Sequence, residues 1–209
     1  DVLGFWKIAE ADPDHLALVD PDHNEMSYGE LAALTNKVVH GLRAAGLKKG
    51  DQVTTVLPNS FEQVAVCLAA FQGGYYVTTV NWHLVGPEIS YIVNDSETKA
   101  LIVSERFADE AVRVLEDCVT PDANRFSVGD VKGFRPFSDL VAGQSGDRPK
   151  DVSPGSYMFY TSGTTGRPKG VRRGLPEGDV DETSAGSGGL FMLFGTMPHD
   201  DNVQITQAP

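Results

Sequence analysis

The sequence predicts an α/β fold, a mainly parallel sheet with helices on both faces, and two observations support it. Short runs rich in β-branched residues alternate with longer runs whose apolar residues recur every three or four positions. Strands joined by helices pair in parallel because a right-handed crossover helix packs back onto the same sheet. We therefore expect each strand to be followed by a helix that covers one side of the sheet.

The first helix-strand-helix unit has clear boundary signals. Ser27 and Glu30 have capping-box spacing, in which each side chain can satisfy an orphan backbone N–H. Helical apolar spacing then continues to a natural stop at Gly46. Residues 51–59 read as a strand that ends in a turn, and Ser60 begins a helix so apolar that it should be well buried.

The alternation continues through the middle of the chain. Pro87 suits the first turn of a short helix, where its missing N–H costs little. The predicted elements are a strand at 75–81, a helix at 86–96, a strand at 99–104, a helix at 106–119 and a strand at 124–128.

The pattern loosens after Val128. The composition of 142–156 predicts a loop, which leads into a short buried strand at 157–163. Beyond it we expect a mobile surface loop at 174–189, a helical turn at 190–197 and a final strand at 202–209. We divide the chain into an N-terminal α/β subdomain, 1–145, and the start of a second subdomain, 146–209.

Composition limits the classes of function. The 209 residues carry a formal net charge of −12, which argues against binding nucleic acid through overall charge. Cys67 and Cys118 both fall in predicted helices, where a buried free thiol is expected, and no Cys/His cluster suggests a metal site. This cysteine usage, with no signal peptide and no membrane-spanning run, predicts a cytoplasmic protein without indicating membrane association.

The stretch YTSGTTGRPKGV, residues 160–171, has the composition of a phosphate-binding loop. Glycines let the backbone approach a ligand closely, and successive N–H groups in such turns form anion-binding concavities. Lys169 would add a point charge for phosphate oxygens. The spacing fits neither the P-loop nor the dinucleotide fingerprint, and a flexible solvated turn is the alternative.

The order of residues in this stretch resembles the phosphate-loop signature of the adenylate-forming superfamily. That superfamily includes acyl-CoA synthetases, aryl-CoA ligases, luciferases and peptide adenylation domains. Residues 80–104 look like the acyl-CoA synthetase branch, and 26–60 fit its opening helix–strand unit. The resemblance implies an acid–thiol ligase. A carboxylate reacts with ATP to give an acyl-adenylate, and coenzyme A then displaces AMP. The overall resemblance favours a medium- to long-chain fatty acid, with aryl or other carboxylates as the alternatives.

The resemblance also implies roles for individual residues. The loop would hold the β- and γ-phosphates of ATP while magnesium spreads the developing charge, with Thr161 as a magnesium-side residue. The implied nucleotide-binding residues are Thr161, Ser162, Gly163, Thr164, Thr165, Gly166 and Lys169. The general mechanism is electrostatic stabilisation of phosphoryl oxygens.

Later motifs of the family and its small C-terminal domain are absent from the sequence, and the first residue is not methionine. We therefore expect an N-terminal piece of an acyl-CoA synthetase that is inactive alone, with no complete catalytic set. The alternative is a non-catalytic nucleotide-sensing or interaction module with a similar fold.

Several other residues are candidates for a site. His83 follows a predicted strand end, where sites of α/β folds gather, but packing or capping is its preferred role. Core packing is preferred to a ligand wall for Tyr75, Tyr76 and Trp82. Arg172 and Arg173 either approach phosphate or an acyl carboxylate, or keep the loop soluble. We expect the cluster of His199, Asp200 and Asp201 in an exposed turn rather than at a metal ion.

Overall fold

A computed structural model of the protein describes residues 4–161 and 167–193, with side chains through 186. In chain order its elements are α1 (Phe5–Ala11), β1 (Leu16–Val19), β2 (Glu25–Ser27), α2 (Tyr28–Ala44), β3 (Gln52–Val56), α3 (Phe61–Gly73), β4 (Tyr76–Thr79), α4 (Gly86–Asp95), β5 (Ala100–Ser104), α5 (Ala108–Val114), β6 (Arg125–Val128), β7 (Arg135–Pro136), α6 (Phe137–Val141), β8 (Ser156–Tyr157), β9 (Phe159–Thr161), β10 (Lys169–Val171) and α7 (Val180–Leu193). Single 3-10 turns occur at Glu105–Phe107 and Asp122–Asn124.

The centre of the molecule is a six-stranded parallel sheet in the order β7-β6-β5-β3-β4-β8. Two antiparallel pairs, β1 with β2 and β9 with β10, lie outside it. The prediction of a mainly parallel sheet is confirmed. In a parallel sheet all the carboxyl ends lie at one edge, which is where ligands of open α/β sheets bind.

Helices cover both faces of the sheet, as predicted. Alternate residues of β5 face opposite sides, so Ile102 joins the core beneath α2, α3 and α6. Leu101 and Val103 join a second core beneath α4 and α5. Strands buried on both faces read as continuous apolar runs, which explains why this strand was evident in the sequence.

Two helix starts follow the predicted caps. The Ser27 hydroxyl accepts from the Glu30 N–H at 3.2 Å, and the Glu30 carboxylate accepts from the Ser27 N–H at 2.9 Å. Ser60 accepts from the Gln63 N–H at 3.3 Å at the start of α3. Gly46 has a φ of 90°, as the stop after α2 requires.

The predicted helix at 106–119 is wrong in extent. It begins with a 3-10 turn, continues as α5 and ends at Val114, so Cys118 lies in the following loop and is only partly buried. Cys67 is a buried helical thiol, as expected. The short β7 and α6, which lie after the predicted loosening, were not predicted at all.

The predicted mobile loop at 174–189 is also wrong, because α7 begins at Val180. The Asp179 carboxylate accepts from the N–H groups of Asp181 and Glu182, which is an N-terminal cap. Arg148 pairs with Asp181, and the Phe5 N–H donates to the Ser184 hydroxyl, so α7 is fastened beside α1. The helical turn predicted at 190–197 is helical through Leu193, where α7 ends. Its remaining residues, 194–197, the strand predicted at 202–209, and His199, Asp200 and Asp201 lie outside the described residues.

The predicted loop at 142–156 is confirmed, and it is tied to α2 over most of its length. Asn36 donates to the Gly146 carbonyl at 2.8 Å, and Arg43 donates to the Asp151 carboxylate at 2.7 Å. These contacts lead the chain across the molecule to β8. Among the described residues, no helix has the length and apolar character needed to cross a membrane.

Candidate functional site

The stretch 160–171, called the motif below, begins in a strand that extends beyond the carboxyl edge of the sheet. β8 pairs with β4, and the Met158 N–H then donates to the Val77 carbonyl at 2.9 Å. The buried Thr78 hydroxyl donates to the Met158 carbonyl at 2.7 Å. Polar groups of the central sheet therefore fix the point at which the chain leaves it as β9.

β9 and β10 contain the two ends of the motif and form an antiparallel pair. The register places Thr161 opposite Lys169, Tyr160 opposite Gly170 and Phe159 opposite Val171. Side chains directly opposite in such a pair lie on the same face, and that face alternates along each strand. Thr161 and Lys169 therefore share one face with Phe159 and Val171, and Tyr160 lies on the other.

This pair departs from the predicted buried strand. All four residues of the Thr161 face are exposed, Phe159 to 57% and Val171 to 41%. The Lys169 ammonium group has no hydrogen-bond or ion-pair partner in the described part of the chain. Ser162, Gly163, Thr164, Thr165 and Gly166 lie outside the described residues, between Thr161 and Arg167.

The end of the β9–β10 pair that lies away from residues 162–166 is anchored by arginine and tyrosine. The Arg172 guanidinium lies 4.3 Å from the centre of the Tyr76 ring and donates to the Gly50 carbonyl. The Tyr76 hydroxyl donates to the Arg173 carbonyl. Arg172 thus holds the strand pair against the sheet, a role that the sequence did not distinguish from phosphate binding or solubility.

The end of the pair next to residues 162–166 contacts α4. Sequence reasoning did not connect this helix with the motif. The Tyr160 hydroxyl donates to the Asp95 carboxylate at 2.7 Å, and the Tyr91 hydroxyl donates to the Pro168 carbonyl at 3.1 Å. The Arg167 guanidinium lies 5.5 Å from the centre of the Tyr91 ring. Burial and the nearby Asp95 carboxylate raise the pKa of Tyr160, so its hydroxyl remains a donor at neutral pH.

An aromatic and cationic group lies at the carboxyl ends of β4 and β5. The half-buried Trp82 ring stacks on the exposed His83 ring at 3.5 Å and on Phe107 at 5.2 Å. The Arg106 guanidinium lies 5.8 Å from the Trp82 ring centre. Tyr75 and Tyr76 are buried, as predicted, with only 1% and 6% exposure. His83 is exposed and stacked on its neighbour, so it is not a packed core histidine.

The thiol of Cys67 is enclosed in the core near the start of the motif strand. Gln63 donates to its sulfur at 3.1 Å. Burial raises the pKa of the Cys67 thiol, and burial with the adjacent Cys67 raises the pKa of Tyr157. A protonated, enclosed thiol is a packing group rather than a nucleophile.

Magnesium fits the described residues only as an ion that arrives with a ligand. No group of three or more His, Cys, Asp or Glu side chains within the described residues could hold a metal ion. Thr161 offers one exposed hydroxyl, whereas a protein-held magnesium site normally includes carboxylates.

Comparison with known proteins identifies the family. The model for the AMP-binding enzyme family matches residues 5–173. The chain is 32% identical over 169 residues to the long-chain-fatty-acid–CoA ligase FadD13 of Mycobacterium tuberculosis, covering 78% of this chain and 32% of that protein. It is 31% identical over 172 residues to a medium/long-chain-fatty-acid–CoA/3-oxocholest-4-en-26-oate–CoA ligase of Mycolicibacterium smegmatis, covering 78% and 31%. The chain belongs to the AMP-binding enzyme family.

Solved structures agree with this assignment. A fatty acyl CoA synthetase of Mycobacterium tuberculosis is 28% identical with a TM-score of 0.67, and 80% of this chain covers 33% of that one. The inhibitor-bound N-terminal domain of FACL13 from the same organism is 29% identical with a TM-score of 0.68, covering 80% and 42%. The chain therefore spans about a third of the length of the curated relatives it matches, and the structural likeness covers only their N-terminal part.

Proposed function

We propose that the chain is the N-terminal, phosphate-binding part of an ATP-dependent acyl-CoA synthetase acting on a carboxylic acid, most simply a fatty acid. The fatty-acid–CoA ligase names of its relatives support the substrate class. The observation that carries the proposal is the pairing of Thr161 with Lys169 on one exposed face, beside the carboxyl edge of the sheet.

In the proposed reaction the motif binds the β- and γ-phosphates of ATP. Lys169 pairs with Thr161 in the strand register, so their side chains lie on one face and both can approach one phosphate group. The hydroxyls and backbone N–H groups of Ser162, Thr164 and Thr165 would add donors, while Gly163 and Gly166 would allow close approach. Donors fixed before the reaction stabilise the pyrophosphate that departs when a carboxylate attacks the α-phosphate.

Magnesium, when bound, would neutralise charge on the phosphate oxygens. Thr161 is the residue that the family resemblance places beside it, and phosphate oxygens of the nucleotide and water would contribute other ligands. Coenzyme A is the proposed acceptor in the second step, in which its thiol displaces AMP from the acyl-adenylate. The division into subdomains 1–145 and 146–209 is also part of this proposal.

The alternative function is nucleotide sensing or protein interaction without catalysis. A module for protein interaction alone would have little reason to keep Lys169 together with Thr164 and Thr165, so these residues favour the ligase. Nucleotide sensing would use the same polyphosphate site as the ligase. They differ in whether the whole protein converts a carboxylate to its adenylate. The names of the relatives favour the ligase.

Ligand-induced thermal stabilisation tests the phosphate site. Excess MgATP should raise the melting temperature of the 209-residue chain, because a ligand that binds only the folded state stabilises it. Lys169→Ala should remove most of this shift while leaving the melting temperature without ligand unchanged, since Lys169 is exposed.

Lys7→Ala is the matched control, because Lys7 is another exposed lysine with no hydrogen-bond or ion-pair partner among the described residues. It should keep the full ligand shift. Equal shifts in the wild type and Lys169→Ala would refute the assignment of Lys169 to phosphate.

A further inference from the structure

We infer that Tyr91 and Asp95 of α4 are positioning residues, which hold the two strands that flank the proposed phosphate loop at a fixed separation. This inference rests on the proposed function of the loop. It concerns residues more than sixty positions upstream of the motif in sequence. Neither side chain needs to touch the nucleotide.

The geometry gives each strand its own attachment to the same helix. Asp95 accepts from Tyr160, which precedes the segment 162–166 by two residues. Tyr91 donates to the carbonyl of Pro168, which follows that segment by two residues. Tyr91 and Asp95 are four residues apart in α4 and therefore lie on one side of it.

The location of Asp95 supports a role outside helix stability. Asp95 is the last residue of α4, where the negative end of the helix dipole disfavours a carboxylate. Its carboxylate faces the Tyr160 hydroxyl rather than a cation. A carboxylate here is unfavourable for the helix, but it accepts a hydrogen bond that fixes the direction of the Tyr160 side chain. Tyr160 lies on the strand face opposite Thr161.

The attachment by Tyr91 uses both parts of its side chain. The hydroxyl holds the Pro168 carbonyl, and the ring faces the Arg167 guanidinium at 5.5 Å. Arg167 is therefore directed toward α4, while Lys169 has no partner among the described residues. Of these two motif cations, the structure assigns Arg167 to attachment and leaves Lys169 to the ligand.

The core behind α4 makes it a rigid support. Ile89, Ile92 and Val93 are at most 3% exposed and pack against β5 and α5. With Arg172 stacked on Tyr76 at the far end, the strand pair is held at both ends. A loop whose flanking strands are fixed before binding loses less conformational freedom when it binds, and this increases affinity.

The test uses variants that remove one hydroxyl each, Tyr91→Phe and Tyr160→Phe. The control is Tyr28→Phe, because the half-buried Tyr28 hydroxyl has no partner within the described residues. Two quantities are measured on the full chain: hydrogen exchange of the β9 and β10 amides without ligand, and affinity for magnesium tripolyphosphate by calorimetry. Amides of β3 and β5 act as the internal reference.

Each variant should speed exchange in β9 and β10 by roughly three- to tenfold, the range expected for one hydrogen bond, with the reference strands unchanged. Tripolyphosphate affinity should fall by a similar factor. Tyr160→Phe combined with Asp95→Ala should add little to either single variant, because both remove one bond, whereas Tyr91→Phe should add to each.

The outcomes separate this inference from the proposed function. A wild-type chain that binds no tripolyphosphate refutes the proposed function, and the exchange measurement, which needs no ligand, still decides whether α4 holds the strands. If the wild type binds but exchange is unchanged in both variants, the inference is refuted alone. Faster exchange with unchanged affinity also refutes it, since the bonds would then be structural only.

Discussion

At the residue scale, Tyr160 shows how one side chain connects the motif to the rest of the molecule. It stands at the start of the glycine- and hydroxyl-rich stretch, yet its hydroxyl points away from the Thr161 face and donates to Asp95. Burial and the carboxylate both favour its neutral form, and both therefore raise its pKa. The neutral hydroxyl is the form that can donate.

This raised pKa predicts a pH dependence of stability. The contribution of Tyr160 is fully present below the ordinary tyrosine pKa of about 10 and is lost as pH rises toward the higher folded-state value. Tyr160→Phe lacks this titration. The stability difference between wild type and Tyr160→Phe, from urea unfolding, should therefore be largest near pH 8 and shrink above pH 10.

The other tyrosines are common to both proteins, so their titration cancels in this difference. A difference that stays constant from pH 8 to pH 11 would contradict the assigned bond between Tyr160 and Asp95.

Roles of residues were predictable where the signal is local. Ser27 and Glu30 lie three apart, and their capping box follows from spacing alone. The stacking of Arg172 on Tyr76 joins residues 96 positions apart, and no local sequence pattern predicts it. For the same reason the sequence indicated a phosphate loop but not the helix that holds its flanks.

At the scale of elements, Gly155 controls how β8 enters the sheet. Its N–H donates to the Phe71 carbonyl at 3.0 Å, and a Cβ added here would collide with the backbone carbonyls of Ala70 and Tyr75. The backbone must come this close for β8 to pair with β4. The motif strands follow directly, so their position depends on this contact.

Gly155→Ala should therefore lower the free energy of unfolding by about 1–3 kcal/mol, the usual cost of an overpacked site. Gly174→Ala is the matched control, since an added Cβ there meets nothing within 4 Å. Urea unfolding measures both. Equal stabilities of the two variants would show that the close approach at Gly155 is not required.

Three elements that were missed after Val128 lack a clear local signal in the sequence. β7 has two residues and α6 has five, too few for a period to show. α7 contains several glycines, which disfavour a helix, and its Asp179 cap was visible only as one acidic residue among many. Its contacts with Arg148 and Phe5 compensate, and they come from distant parts of the chain.

At the scale of the whole molecule, the structure joins a six-stranded parallel sheet to a proposed phosphate loop at its carboxyl edge. The chain spans about a third of its curated relatives' length, so most of their residues have no counterpart in it. Adenylation requires the carboxylate, the nucleotide and their binding groups to be held together. We therefore predict binding of polyphosphate without turnover.

Carboxylate-dependent exchange of pyrophosphate into ATP checks this prediction. The 209 residues alone should give no rate above the protein-free control with fatty or aryl acids. A carboxylate-dependent rate that Lys169→Ala removes would show instead that this part of the family fold is sufficient for adenylation.

Binding of the ATP phosphates by the motif is tested most directly by measuring where MgATP slows hydrogen exchange along the chain. We expect slower exchange in peptides covering 160–170, a weaker slowing in α4 through Tyr91 and Asp95, and no such protection in Lys169→Ala. Protection confined to other parts of the chain, or protection of 160–170 that persists undiminished in Lys169→Ala, would contradict it.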